Sequence, residues 1–358
     1  APCAGRRFAM VAGPTKLIVL QHGLYGSASN LLVLKENLEL LGGGSVVVHS
    51  AVSNEGLRTR DGIAAGGKRL AEEVLQVRAR YPSLESIALV GNSLGGLYVR
   101  FASTLLLDPE GETLAGGLHP DALLTLVTPH LGVKKFTYVP IPAPHKGWIS
   151  WPGWLVAGAT ADDLLLRNSL LEQMSCPHGS HHRALRAFRR RRAYANLKGD
   201  FMVPFGTAAF EEDSTWSAGF RDSQLARQFA QARGVHFIDE DVLNGLRDGI
   251  AVMKEEPPVD ASILKPVDQM DGTSEEKMAA AINAVGWSKV AIAFRSVGTF
   301  KPMAHNKLPA LRRDGWRRGF EAIEGAQEGR PVMWHAARFL LELDMDDALD
   351  EVGALAAY

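Results

Sequence analysis

Ile87-Ala88-Leu89-Val90-Gly91-Asn92-Ser93-Leu94-Gly95-Gly96 decides the fold. Its four leading apolar residues, without polar alternation, read as a buried strand, and Leu94 to about Leu107 reads as a helix. Between them lies G-x-S-x-G in the strand-to-helix setting that a nucleophile elbow requires. A turn this sharp folds the chain against itself, and side chains at its flanks would collide with strand and helix. The turn projects the Ser93 hydroxyl out of the sheet. It also leaves the Leu94 amide at a helix N-terminus, where it can donate to a developing oxyanion. The bare pattern is weak in a chain with 36 glycines, but the strand before it and the helix after it remove most accidents.

Working outward, Leu17–Leu20, Ser45–His49, Leu123–Val127 and Val290–Phe294 read as further strands. Residues 61 to 79 place Ile63, Leu70, Val74 and Val77 at helical spacing, and Val332 to Leu343 reads as a terminal amphipathic helix. Uniformly apolar strands separated by helices imply a mostly parallel sheet covered on both faces, hence an α/β domain. Residues 1–358 read as one such domain. Pro140, Pro142, Pro144 and Pro152 interleave with Trp148, Trp151 and Trp154, so a cap or lid is expected within 136–190. A second insertion is expected over 206–285.

The chain of 358 residues is 46% hydrophobic and 22% charged, which excludes a disordered tail or a fibre. A net charge of −1 advertises no polyanionic partner, and no broad basic surface suggests nucleic acid. Two cysteines, Cys3 and Cys176, cannot form a disulfide framework. No apolar run reaches the roughly 18–20 residues that span a bilayer, so the protein reads as soluble or peripheral. The opening residues lack both an initiator Met and an apolar signal core, leaving a removed targeting segment or a truncated gene model as readings.

Other signals are weaker. Cys176, His178, His181 and His182 gather within seven residues but lack metal-site spacing, so no metal is expected. Arg183, Arg186, Arg189, Arg190, Arg191 and Arg192 read as a solvated helix face, with phospholipid headgroups as the sharper alternative. No G-x-G-x-x-G or Walker sequence is present, so no cofactor is expected. His22-Gly23-Leu24-Tyr25-Gly26 follows the first strand, where folds with this elbow find a second oxyanion amide. Leu24 is the residue assigned to that amide, and His22 a loop-shaping histidine. A plain glycine turn is the alternative.

At this point the sequence resembles the lipase-like serine esterases of the α/β-hydrolase fold, a family that includes yeast lipid-droplet phospholipase and monoacylglycerol lipase-like proteins. Five blocks carry the likeness: His22–Gly26, Gly91–Gly96, Thr128-Pro129-His130-Leu131-Gly132, Arg192–Asn196 through Gly199–Pro204, and Ala304-His305-Asn306-Lys307. The third and fourth are the most particular to the family. Asn92 departs from the histidine commonest before the nucleophile.

A serine hydroxyl needs a base and the base an orienting acid, in the chain order Ser, Asp or Glu, His. The resemblance favours Asp200 over Asp239, Glu240 and Asp241. Position after the last strand leaves His305 and His335 as bases, and the His-Asn-Lys block favours His305. The resemblance implies a carboxylic-ester hydrolase acting on acyl lipids such as monoacylglycerol or phospholipid. Tyr25, Trp151 and Trp154 are the candidate substrate contacts. Peripheral contact with a membrane or lipid droplet and a cytoplasmic or lipid-droplet location are expected, an organellar one being left open. A thioesterase, an acyltransferase, or a non-catalytic protein that binds an apolar ligand are the alternatives.

Overall fold

A computed structural model describes residues 13–134, 158–197, 199–200, 202–211, 250–256, 271–294, 304–312 and 326–343. Seven strands form one sheet: β1 (Lys16–Gln21), β2 (Val46–Ser50), β3 (Ser86–Asn92), β4 (His119–Leu126), β5 (Arg190–Asn196), β6 (Ile250–Glu256) and β7 (Ser288–Phe294). Their order is β2-β1-β3-β4-β5-β7-β6. All neighbours pair in parallel except β6, which closes one edge antiparallel to β7. The helices are α1 (Leu32–Gly42), α2 (Ile63–Arg80), α3 (Leu94–Leu106), α4 (Ala159–Leu164), α5 (Leu170–Ser175), α6 (Ser180–Ala187), α7 (Phe205–Ala208), α8 (Ser274–Asn283), α9 (Ala304–Lys307) and α10 (Arg330–Leu341).

The apolar strands are apolar throughout because both faces are covered. Leu17, Val19, Ile87, Leu89 and Leu123 pack with residues of α2, α3, α5, α6 and α8 in one core. Their neighbours Ile18, Leu20, Ala88, Val90, Ala122 and Leu124 point the other way, into a core built with α1 and α10. Period-two alternation of direction therefore replaces alternation of polarity. The chain leaves β1 for β2 on one side and returns to β3 on the other. The carboxyl ends of β1 and β3 are thus a topological switch point, where such sheets form their crevices.

The expected strands and helices are present, with β4 beginning earlier than its apolar run. Two readings change. The arginine stretch is not a solvated helix face: Arg183 and Arg186 lie on α6, but Arg190, Arg191 and Arg192 open β5. Arg190 donates to Asp121 at 2.7 Å, Arg191 to the Gly286 carbonyl at 2.9 Å, and Arg192 to Ser288 Oγ at 2.9 Å while stacking on Phe339. Partners supplied by distant segments convert a charge run into strand-end anchoring. Within 206–285, Ile250–Glu256 is a sheet strand whose apolar start, Ile250 to Met253, was the available signal. Of the expected cap, α4, α5 and α6 bury Leu164, Leu171, Met174 and Leu185 in the same core as the sheet. Residues 135–157, with Trp148, Trp151 and Trp154, lie outside the described residues. No helix among the described residues is long and apolar enough to cross a membrane.

Candidate active site

Ser93 stands between β3 and α3 with φ +54°, a left-handed conformation unusual for a residue bearing a side chain. Close packing enforces it. A Cβ on Gly95 would lie 2.4 Å from the Gln21 carbonyl oxygen, and one on Gly96 would lie 1.9 Å from Thr128 Oγ1. The Ser93 N–H donates to the Leu126 carbonyl at 2.7 Å, which ties the turn to the end of β4. Thr128, from the third sequence block, therefore meets the elbow directly.

His305 brings the second and third groups. Its Nδ1 lies 2.9 Å from Asp200 Oδ2 and its Nε2 lies 3.0 Å from Ser93 Oγ. An ionised carboxylate only accepts hydrogen bonds, so Nδ1–H donates to Asp200 and Nε2 is left to accept the serine proton. Asp200 itself is fixed from both oxygens. Oδ2 also accepts from Asn196 Nδ2 at 3.0 Å, and Oδ1 accepts the Met202 and Val203 N–H groups at 3.1 and 2.8 Å. The Ala304 N–H donates to the Gly199 carbonyl, joining the two turns that carry base and acid. His305 sits on the single helical turn α9. All three side chains are buried.

The loop after β1 closes on the same serine. A Cβ on Gly23 would come within 2.8 Å of Ser93 Cβ and 3.4 Å of its Oγ, so only glycine permits this approach. The Tyr25 N–H is taken up by Thr59 Oγ1 at 3.0 Å and the Gly26 N–H by the Gly23 carbonyl at 3.1 Å. Leu24 is the member of this stretch that neither bond engages. The Leu94 N–H lies in the first turn of α3, where no intrahelical acceptor exists. His22 points away from the relay: Nδ1 donates to the Gly23 carbonyl at 3.0 Å, and burial lowers its pKa. It shapes the loop, as its position on the oxyanion side suggested.

Several other described histidines are engaged elsewhere. His335 is packed under the sheet with Nδ1 2.8 Å from the Tyr194 hydroxyl, and burial pushes its pKa down to about 3. His181 meets Thr104 Oγ1 and His182 meets the Ala281 carbonyl. Among the described residues no group of three His, Cys, Asp or Glu side chains could hold a metal. Asp239, Glu240 and Asp241, the competing acids, lie outside the described residues, as do Trp151 and Trp154. Tyr25 is half-buried on the loop beside Ser93.

Sequence reasoning missed several supports. Thr207 on α7 binds the Thr128–Gly132 block three times: its carbonyl accepts the His130 N–H, and its hydroxyl accepts the Leu131 N–H and donates to the Gly132 carbonyl. His130 is buried between Arg100 (3.1 Å) and Thr125 (3.0 Å), edge-on to Phe210 and Trp287. Burial and the Arg100 charge both lower its pKa, so it is neutral and accepts from the guanidinium. The third sequence block is thus tied to the helix that directly follows the fourth.

Residues 12–214, more than half of the chain, match the family described as "Putative serine esterase (DUF676)". The chain belongs to this serine-esterase family. Its mostly parallel sheet with helices on both faces and the serine turn after a central strand is the α/β-hydrolase fold. It is 31% identical over 220 residues to "Putative lipase C4A8.10" of Schizosaccharomyces pombe, a match covering 55% of this chain and 26% of that protein. To "Putative lipase ROG1" of Saccharomyces cerevisiae it is 30% identical over 207 residues, covering 54% and 28%. The chain thus spans little more than a quarter of the length of these relatives. Among solved structures, the mature lipase BlEst2 of Bacillus licheniformis is 20% identical, with 56% of this chain and 71% of that one covered at a TM-score of 0.35.

Proposed function

We propose that this serine-esterase family member hydrolyses carboxylic esters of acyl lipids, monoacylglycerol or phospholipid, through a Ser93–His305–Asp200 triad and an acyl-enzyme. The observation that carries the reading is the hydrogen-bonded series from Ser93 Oγ through His305 to Asp200, at 3.0 and 2.9 Å. Ser93 Oγ attacks the ester carbonyl carbon while its proton passes to His305 Nε2. The carbonyl oxygen, now negative, receives the Leu94 and Leu24 N–H groups. Collapse expels the alcohol, which takes the proton from Nε2. Water then repeats the sequence in reverse and frees the fatty acid. Asp200 holds the imidazole in the productive tautomer and stabilises the imidazolium.

The acyl-lipid class is supported by the family likeness and by the names of the relatives. Tyr25 is the described candidate for a substrate contact; Trp151 and Trp154 add an apolar, sequence-level argument for a long acyl chain. A membrane or lipid-droplet surface is the setting such a substrate implies. The test is labelling with a fluorophosphonate followed by a panel of acylglycerols, phospholipids and thioesters. Labelling of the native chain, loss of labelling in Ser93→Ala and release of fatty acid from acylglycerol or phospholipid are expected. Labelling retained by Ser93→Ala overturns the nucleophile, and turnover of thioesters alone overturns the substrate class.

A further inference from the structure

Thr59 lies in the short turn Gly56–Arg60, outside every sequence block that bears on the site, and is fully buried. Its hydroxyl donates to the Gly56 carbonyl at 2.7 Å, so its lone pairs are what receive the Tyr25 N–H at 3.0 Å. Its own carbonyl accepts the Tyr98 hydroxyl at 3.0 Å and Thr160 Oγ1 at 2.6 Å. The same turn grips the loop a second time through Gly56 N–H and the Gly26 carbonyl, at 3.0 Å. Tyr98 is fixed in turn. It sits on α3 one helical turn beyond Leu94, fully buried, its ring so close to Gly66 that a Cβ there would lie 2.3 Å away. Tyr25 has φ +53°, a conformation that a side-chain-bearing residue keeps only when its surroundings over-determine it.

We infer that Thr59 is a positioning residue for the oxyanion hole: it holds the Tyr25 N–H, so that the left-handed turn presents the Leu24 N–H beside Ser93. Through the Tyr98 hydroxyl it also references that loop to α3, which carries the second amide at Leu94. The two amides must converge on one oxygen that is fully negative only in the transition state. A loop displaced by a few tenths of an ångström therefore costs rate more than substrate binding. This inference rests on the esterase reading above.

The experiment uses the full chain and p-nitrophenyl esters, with Thr59→Val, Thr59→Ser and Val77→Ala. Valine keeps the shape of threonine but strands both the Tyr25 N–H and the Gly56 carbonyl. Val77, at the far end of α2, reports lost packing alone. Thr59→Val should lower kcat about 10- to 100-fold, less than or equal to outright removal of an oxyanion donor, with KM changed by no more than about threefold. It should weaken a trifluoromethyl ketone, which forms an oxyanion on Ser93, by a similar factor while leaving the unreactive methyl ketone unaffected. Thr59→Ser should restore both within about threefold, and Val77→Ala should lower Tm with kcat unchanged. An unchanged kcat in Thr59→Val, equal weakening of both ketones, or a serine variant as impaired as the valine one overturns the inference. Should Thr59→Val not fold, Tyr98→Phe removes only the phenol that holds the Thr59 carbonyl. A smaller but selective loss of trifluoromethyl ketone affinity supports the role, and none overturns it. Loss of labelling in Ser93→Ala with no effect at Thr59 refutes this inference alone; retained labelling in Ser93→Ala refutes the reading beneath it.

Discussion

The two rims of the sheet are held in opposite ways. At the amino rim, Asp121 at the start of β4 faces three cations, Lys16, Arg189 and Arg190, and Glu342 joins both arginines from the end of α10. At the carboxyl rim, Ser93, His305, Asp200 and Asn196 form a single file in which each neighbouring pair shares one bond. The amino rim is redundant in cations: remove one, and Asp121 keeps two. The carboxyl rim has no spare. The first arrangement tolerates imprecision and suits stability, while the second, the file proposed for catalysis, depends on geometry.

The largest expected effect is at the non-redundant rim. Ser93→Ala should lower kcat by about 10⁶-fold, the scale of removing a triad nucleophile, with Tm nearly unchanged. Turnover that survives at more than a few per cent would break the comparison, because the rim would then hold a second nucleophile. Asp200→Asn should follow at roughly 10²- to 10⁴-fold in kcat, since asparagine can no longer fix the imidazole tautomer. A change of less than tenfold in that variant would show that the file has a bypass.

Asp121→Asn sharpens the contrast from the other side. Removing the buried carboxylate that all three cations share should cost about 3–5 kcal/mol of stability, measured by urea unfolding, while fluorophosphonate labelling per folded molecule stays unchanged. The acid limb of stability should move with it. Burial alone would raise the Asp121 pKa, but hydrogen bonds and charge from Lys16 and Arg190 outweigh it and hold the carboxyl below its ordinary range. A folded pKa below the unfolded one stabilises fully above about pH 4 and loses that contribution as pH falls through the folded value. The native chain should lose stability in that interval, and the asparagine variant should lack that component. The smallest effect concerns substrate range. Replacing Trp151 and Trp154 with Ala should lower kcat/KM for sixteen-carbon esters several-fold more than for acetate, on the scale of about 0.8 kcal/mol per CH₂ no longer covered. An equal loss at every length, with circular dichroism unchanged, would detach the tryptophans from the acyl chain.

The same asymmetry governs what the sequence discloses. Strands β1, β3, β4 and β7 announce themselves as apolar runs because burial on both faces demands it at every position. Ser93 is legible because the elbow forces glycines into sequence neighbours, and Asp200 and His305 because their blocks resemble those of a family. Arg190–Arg192 misled because their partners, Asp121, Gly286 and Ser288, lie roughly 70 to 100 residues away. A charge run carries no local mark of such pairing. Thr59 and Thr207 were invisible for the same reason: each is an ordinary threonine whose role lies in which backbone groups it happens to meet. Ile250–Glu256 is faint in the sequence because edge pairing to β7 supplies a reason for a strand that its own composition barely states.

The hydrogen bond between His305 and Ser93 spans 212 positions of chain. At ordinary synthesis rates of about 5–20 residues per second, the histidine leaves the ribosome roughly 10–40 s after the serine. The segments that close around the elbow, from β1 to Thr128 just after β4, have all been made well before then. A nascent chain therefore holds the serine for that interval before the histidine proposed as its base has been made. The hydrogen-bonded file closes only once α9, which follows β7 in the chain, lies beside Asp200.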